Sequence, residues 1–333
     1  MESVRWGIFG TGDIAHGIAG DFQFVADADL AAVASRTPGR AEAFARRFGV
    51  PCAHGSYRAM LEDASIDAVY IATPHSHHHD LALAAIGAGK AVVVEKSFTA
   101  TYAGAQRIVE AARAKGVFAM EAMWTRFLPA ISAAREVVAW GRIGDVLAVQ
   151  GDLLAHRDFD PTHRLFAPEL AGGALLDVGV YVVNFAQAFL GDAREIRCEA
   201  RLYPNGVDAA ASITLRHSAD GLSSLACGLD GPGPGRMIIV GSKGWVEVDP
   251  RFHHPTTVTV NRQGVLPRII EASPSGQGYC HQFAEATHRI LAGDTESPTM
   301  PLDDTLEVMR VLDECLRQAG VSHTEADMSA DLS

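Results

Sequence analysis

Val4 to Phe9 is an apolar run that leads directly into Gly10-Thr-Gly12-Asp-Ile-Ala15, and a helix pattern begins at Asp13. Strand, glycine turn and helix in that order constrain the fold more than any other stretch of the chain. Gly10 permits a tight turn. Gly12 lets the backbone approach a pyrophosphate, which then meets the amides of the helix N-terminus. Thr11, Asp13 and Ile14 complete the loop. A Gly-x-Gly-x-x-Ala match is weak alone, but a preceding strand and a following helix are the context that a dinucleotide site requires.

The alternation continues. Leu30 to Ala34, Ala68 to Ala72, Ala91 to Val94 and Val117 to Glu121 read as buried strands, with a short strand near Cys52. Thr37 and Pro38 open a helix that Gly49 closes, and Ser56 caps a shorter one. Further helices run up to Gly87 and from Thr101 to Lys115. This predicts a doubly wound parallel sheet of Rossmann type over residues 1–122. Past residue 123 the pattern changes. Pro129 to Trp140 reads as a helix, Ile143 to Leu154 as a long strand and Gly172 to Leu190 as an apolar helix. Strand-like runs follow at Glu195 to Leu202, Ala210 to Arg216, Ser223 to Gly228, Arg236 to Val240, Gly244 to Val248 and Thr256 to Val260. Consecutive strands with short turns predict a large, mostly antiparallel open sheet. Gly278 to Ala292 and Leu302 to Gly320 complete an α+β domain over residues 123–320. Residues 321–333 are polar and predict a flexible tail.

The 333 residues carry a net charge of −12, which argues against a nucleic-acid partner, since binding phosphates needs a basic surface. No run approaches the roughly 18 consecutive apolar residues of a membrane span, and the chain enters a strand at once, so neither a membrane nor a signal peptide is expected. The five cysteines are scattered, with no Cys-x-x-Cys, and read as thiols in a reducing cytoplasm.

The close of the second strand selects the cofactor. NAD sites place an acid there for the ribose 2′-hydroxyl. Here the segment is Ala34-Ser35-Arg36-Thr37, with no acid. Ser35 and Arg36 can bind a 2′-phosphate that a carboxylate would repel, and Arg40 lies one helical turn on. The expected cofactor is therefore NADP rather than NAD.

Thr73-Pro-His-Ser-His-His-His79 follows the third long strand. Four histidines invite a metal, but no second cluster of ligands supports one, so no metal site is expected. Thr73, Pro74, His75 and His78 are assigned to a loop beneath the nicotinamide half of the cofactor, and the other histidines to a solvated helix start.

Glu95-Lys96 closes the next strand. A lysine at the mouth of an apolar strand is costly to desolvate unless it meets a charge or does chemistry. Glu121-Ala-Met-Trp-Thr-Arg-Phe127 offers an aromatic wall at Trp124 and a cation at Arg126; both are assigned to the cofactor together with Glu95 and Lys96, and Trp124 to the substrate as well. Trp124 is read equally as a stacking platform or as a half-buried junction residue. In Gly172-Gly-Ala-Leu-Leu-Asp177-Val-Gly-Val-Tyr181 the acid and the phenol are i and i+4 on one helix face. The bland alternative for Asp177 is a structural hydrogen bond to backbone. Phe159, with His156, His163 and Phe166, adds aromatic and polar character suited to a neutral, polyhydroxylated ring.

Taken together, these motifs resemble the Gfo/Idh/MocA oxidoreductase family. Gly-Thr-Gly-Asp-Ile-Ala is similar to its dinucleotide loop, and Glu95-Lys96 to the Glu-Lys of its Glu-Lys-Pro motif, with Ser97 in place of proline. Asp177-x-x-x-Tyr181 sits where most members have Asp-x-x-x-His. The tyrosine, Met-Trp-Thr-Arg-Phe and the stretch from Arg164 to Asp177 resemble the subgroup of dimeric dihydrodiol dehydrogenases and NADP-linked D-xylose dehydrogenases. The resemblance implies catalytic Lys96 and Tyr181 with Asp177 in support, and a homodimer formed through the C-terminal sheet. The expected reaction is hydride transfer between nicotinamide C4 and the carbinol carbon of a pyranose or trans-dihydrodiol, with Tyr181 as acid/base. A free tyrosine titrates near ~10, so working near neutrality needs a drop of roughly three pH units, about 4 kcal/mol. A lysine ammonium ~4 Å away, at an effective dielectric near 20, supplies about that much. Lys96 as the base, reduction of a keto-sugar or imine, and a non-catalytic NADP-binding sensor are the alternatives. With Ser97 for proline, Lys96 is expected to be less rigidly held and to depend on Glu95, Asp177 and the cofactor.

Overall fold

In a computed structural model, residues 2–332 are described. The chain divides into two compact units: Met1–Trp124, Ser275–Thr305 and Thr324–Ser333 form the first, and Thr125–Pro274 with Leu306–His323 form the second. This corrects the boundaries drawn from sequence. Residues 275–305 and the tail from Thr324 onward belong with the nucleotide-type sheet. A sequential reading assigns them elsewhere because such packing is non-local.

The first unit holds strands β1 (Val4–Phe9), β2 (Ala28–Ala34), β3 (Cys52–His54), β4 (Ala68–Ile71), β5 (Ala91–Glu95) and β6 (Ala119–Ala122). They form a parallel sheet ordered β3-β2-β1-β4-β5-β6. Strand order reverses between β1 and β4, and ligands of such sheets bind outside the carboxyl ends at that switch point. Val92, Val93 and Val94 are fully buried, as a strand covered on both faces requires. Helix Cys280–Ala292 packs on β1, where Phe283 meets Trp6 edge-on at 5.3 Å and Thr287 accepts a bond from the Trp6 indole.

The second unit contains β7 (Val146–Leu154), β8 (Ala193–Leu202), β9 (Asp208–His217), β10 (Leu222–Gly228), β11 (Met237–Gly241), β12 (Gly244–Val248), β13 (Thr257–Arg262) and β14 (Val265–Glu271). The sheet runs β14-β13-β12-β11-β7-β10-β9-β8, with β7 and β10 its one parallel pair. Val149, Ile213, Leu225, Ile239, Val246 and Val258 are buried on one face, and helix Val180–Leu190 packs against β7 and β10. Each such side chain contributes roughly 1.5 to 3 kcal/mol by leaving water. β14 has no counterpart in the sequence reading. It is almost wholly exposed and carries Pro267, so it lacks the alternation that marks a half-buried strand.

Two further expectations are corrected. Residues 321–332 do not fray: Met328 is buried, and the Ala326 amide donates to the Ser76 carbonyl at 2.8 Å. The apolar helix is not uniform, because Leu175–Gly179 is a π-helical turn that precedes helix Val180–Leu190. Pro168–Leu190 is long and apolar enough by composition to cross a membrane, and 78% of its apolar window is buried inside the protein.

Candidate active site

Each unit presents its own cluster. In the first, Gly10 has φ +100°, and a Cβ there would lie 2.7 Å from the Ala72 carbonyl oxygen, so only glycine fits. Gly12 is the N-cap of helix Asp13–Asp21 and has no side-chain cap. A Cβ built on Gly12 would meet nothing within 4 Å. Open space beside uncapped helix amides fits the pyrophosphate of a dinucleotide. Thr11, Asp13 and Ile14 sit around this turn, with Asp13 exposed in the first helical turn.

At the end of β2, Ser35 is buried and its hydroxyl accepts from the Thr37 amide at 3.2 Å. Arg36 stays half exposed, with Nη1 3.5 Å from Oδ2 of Asp331. Sequence reasoning missed Asp331, which lies 295 residues away.

The histidine loop is not a solvated helix start. His75, Ser76, His77, His78 and His79 are all buried. Among the described residues no group of His, Cys, Asp or Glu is arranged to hold a metal. His78 Nε2 lies 2.8 Å from the Thr73 carbonyl, and Nδ1 lies 3.0 Å from the Ser97 carbonyl. A protonated ring would donate to both. Burial outweighs these bonds and pushes the imidazole down to about 4, so at neutral pH one tautomer donates to one carbonyl. Pro74 precedes the short helical turn that carries His75.

Glu95 is buried at the end of β5. Its Oε1 accepts from the Tyr70 hydroxyl at 2.5 Å and its Oε2 from the Lys96 amide at 3.2 Å. The peptide bond from Lys96 to Ser97 is cis. Ser97 is fully buried and its carbonyl lies 3.0 Å from His78 Nδ1, so the segment is enclosed by the core without proline. Trp124 is also buried, its ring 4.4 Å from that of Tyr279. This favours the packed reading over an open platform.

In the second unit, Arg126 is buried and donates to Asn184 and Gln187 on helix Val180–Leu190. Its Nε and Nη2 are thus bonded within the second unit. Asp177 lies on the π-helical turn, and Arg164 Nη1 approaches its Oδ1 at 3.5 Å. Tyr181 is buried, 5.4 Å from the His253 ring. Phe159 is 38% exposed and stacks on Tyr203 at 4.7 Å. Asp208 is fully buried and accepts from the Leu175 amide at 2.5 Å, where it secures the start of the π-helical turn. Burial pushes its carboxyl up to about 6. Asp208, His253 and Tyr279 carried no local sequence signal, since each is brought in by packing between distant elements. Arg164 stood in a quoted motif without a role.

Residues 4–123 match the oxidoreductase family with an NAD-binding Rossmann fold, and residues 131–247 match the GFO/IDH/MocA C-terminal domain. A trans-1,2-dihydrobenzene-1,2-diol dehydrogenase of Mus musculus is 33% identical over 96% of this chain and 98% of its own length. This chain belongs to the Gfo/Idh/MocA oxidoreductase family. Another member, the D-xylose 1-dehydrogenase (NADP(+)) of Hypocrea jecorina, is 32% identical over 97% of this chain and 94% of its own. Two solved structures extend the likeness within the fold. Aldose-aldose oxidoreductase from Caulobacter crescentus, complexed with glycerol, has a TM-score of 0.87 at 25% identity, covering 96% of this chain and 98% of that one. A 3-ketoreductase from Actinomadura kijaniata, in complex with NADP and TDP-benzene, has a TM-score of 0.84 at 26% identity, covering 97% and 99%. The Gfo/Idh/MocA assignment accounts for both sheets and for the glycine loop.

Proposed function

We propose that the chain is an NADP-dependent dehydrogenase acting on a carbinol carbon of a pyranose sugar or trans-dihydrodiol. The observation that carries the reading is Lys96, which leaves the carboxyl end of β5 with its amide held by a buried Glu95. Relatives named for a diol and for a sugar support the substrate class. Arg36 at an acid-free end of β2 supports the 2′-phosphate.

Bound NADP supplies the hydride chemistry. The glycine loop and the N-terminus of helix Asp13–Asp21 would hold its pyrophosphate, and Ser35 and Arg36 its 2′-phosphate. Thr73, Pro74 and His78 would form the floor of the nicotinamide half. In this reading Tyr181 accepts the hydroxyl proton and Lys96 stabilises the phenolate. Asp177 orients a substrate hydroxyl, and Phe159 covers the ring. Absorbance at the reduced-nicotinamide band, with NADP and a panel of sugars and trans-dihydrodiols, tests the proposal. Silence across the panel alongside tight NADP binding would replace it with a sensor.

A homodimer and a cytoplasmic location accompany this reading. Ile269 and Trp245 stand well exposed on one face of the second sheet, as does Leu222, and a second copy would cover them. Sedimentation of the wild type and of Trp245→Glu checks this, since a dimer at equal concentration in both would exclude that face.

A further inference from the structure

The end of β2 has no acid of its own, but the fold brings one there. The tail crosses the carboxyl side of the first sheet. Glu325 accepts from the Thr101 amide at 2.9 Å and from its hydroxyl at 2.7 Å. Ala326 donates to Ser76 at 2.8 Å and Met328 to Oδ2 of Asp80 at 2.9 Å. These anchors lead into a helical turn, Ser329–Leu332, which packs on helices Tyr57–Glu62 and His78–Gly87. The turn sets Asp331 beside Arg36. The Tyr57 hydroxyl and the His77 ring feel the charges of both residues, so all four belong to one polar cluster.

We propose that Asp331 is a selectivity determinant for the cofactor, a tail-borne carboxylate that occupies the guanidinium a 2′-phosphate would claim. The proposal rests on the reading that Arg36 receives that phosphate. A phosphate and a carboxylate compete for one guanidinium, because both are anionic oxygen acceptors that its planar fork binds through the same N–H donors. A carboxylate near the ribose also repels a phosphate while tolerating a free 2′-hydroxyl, which can donate to it. Asp331 therefore narrows the preference for NADP over NAD that Arg36 alone would give. The carboxylate is 28% exposed and the guanidinium 52%, so water and salt screen the pair and its effect is modest.

The test is the affinity of the full chain for NADPH, NADH and adenosine 2′,5′-bisphosphate, measured by calorimetry. Asp331→Asn should tighten NADPH and the bisphosphate by roughly two- to fivefold and leave NADH unchanged, given the size of exposed ion pairs. A chain stopped after Met328 should behave alike if the carboxylate carries the effect. In an Arg36→Ala background the substitution Asp331→Asn should change NADPH affinity little. Unchanged NADPH affinity, equal gains for NADPH and NADH, or a gain from the shortened chain but not from Asp331→Asn would each overturn the proposal. The underlying reading fails separately, if Arg36→Ala alone weakens NADPH no more than NADH.

Discussion

The Tyr70 hydroxyl and the Glu95 carboxylate share a 2.5 Å hydrogen bond at the carboxyl end of adjacent strands. Tyr70 stands opposite Val93, so Glu95, two residues further along β5, lies diagonal to it on the same face, and both are buried. The second oxygen of Glu95 is turned to the Lys96 amide. A phenol in the core thus orients the carboxylate that positions the lysine backbone. Tyr70→Phe removes one bond to a charged, buried acceptor. It should cost about 1.5 to 3 kcal/mol of stability by urea unfolding and lower turnover while sparing NADPH affinity.

Tyr181→Phe should retain NADPH binding and cut turnover at least about a hundredfold, the scale of general acid–base catalysis. Near-normal turnover would remove Tyr181 from the chemistry. Lys96→Met should lower turnover and alter the alkaline limb of the pH–rate profile. An unchanged limb would make Lys96 structural.

His78 is fully buried and held down to about 4, below its usual 6.5. The unfolded chain therefore binds more protons between those values, and stability falls as pH drops through that window. The loss approaches roughly 3 kcal/mol at pH 4, at 1.36 kcal/mol per pH unit. In urea unfolding, the stability difference between wild type and His78→Asn should shift against the wild type by about 2 kcal/mol between pH 7 and pH 4.5, which isolates this slope from other titrating groups.

Asp208 has the opposite sign. Burial raises its carboxyl from 3.8 to about 6, so the folded chain holds the proton longer. Its contribution falls as pH rises from about 4 to 6, again by roughly 3 kcal/mol. Asp208→Asn should lose that slope, and its stability relative to wild type should improve as pH climbs to 7. A constant gap between the two proteins across this range would show that Asp208 does not titrate there.

Much of the first sheet was legible because each parallel strand is a short apolar run stopped by glycine, proline or a cap. Val4–Phe9 and the helix start at Asp13 fall where the pattern puts them. The site was legible only where a motif is local, as in Gly10 to Ala15 or Glu95-Lys96. The π-helical turn was hidden because widening one turn leaves the apolar residues in place. His77 and His79 look solvated in the sequence because what covers this loop includes the tail, which is remote in sequence. Asp331 was invisible for the same reason: nothing in Ser-Ala-Asp-Leu says that it will lie beside Arg36.

The helix Cys280–Ala292 closes over Trp6 and Phe22, and Asp21 accepts from the amides of Gln277 and Tyr279. On the ribosome, which extends the chain from its N-terminus at roughly 5 to 20 residues per second, β1 must therefore wait tens of seconds for the segment that covers it. The nucleotide-type half cannot mature as an early, separate folding event. The indole at position 6 lacks this cover until residues 280–292 have been made.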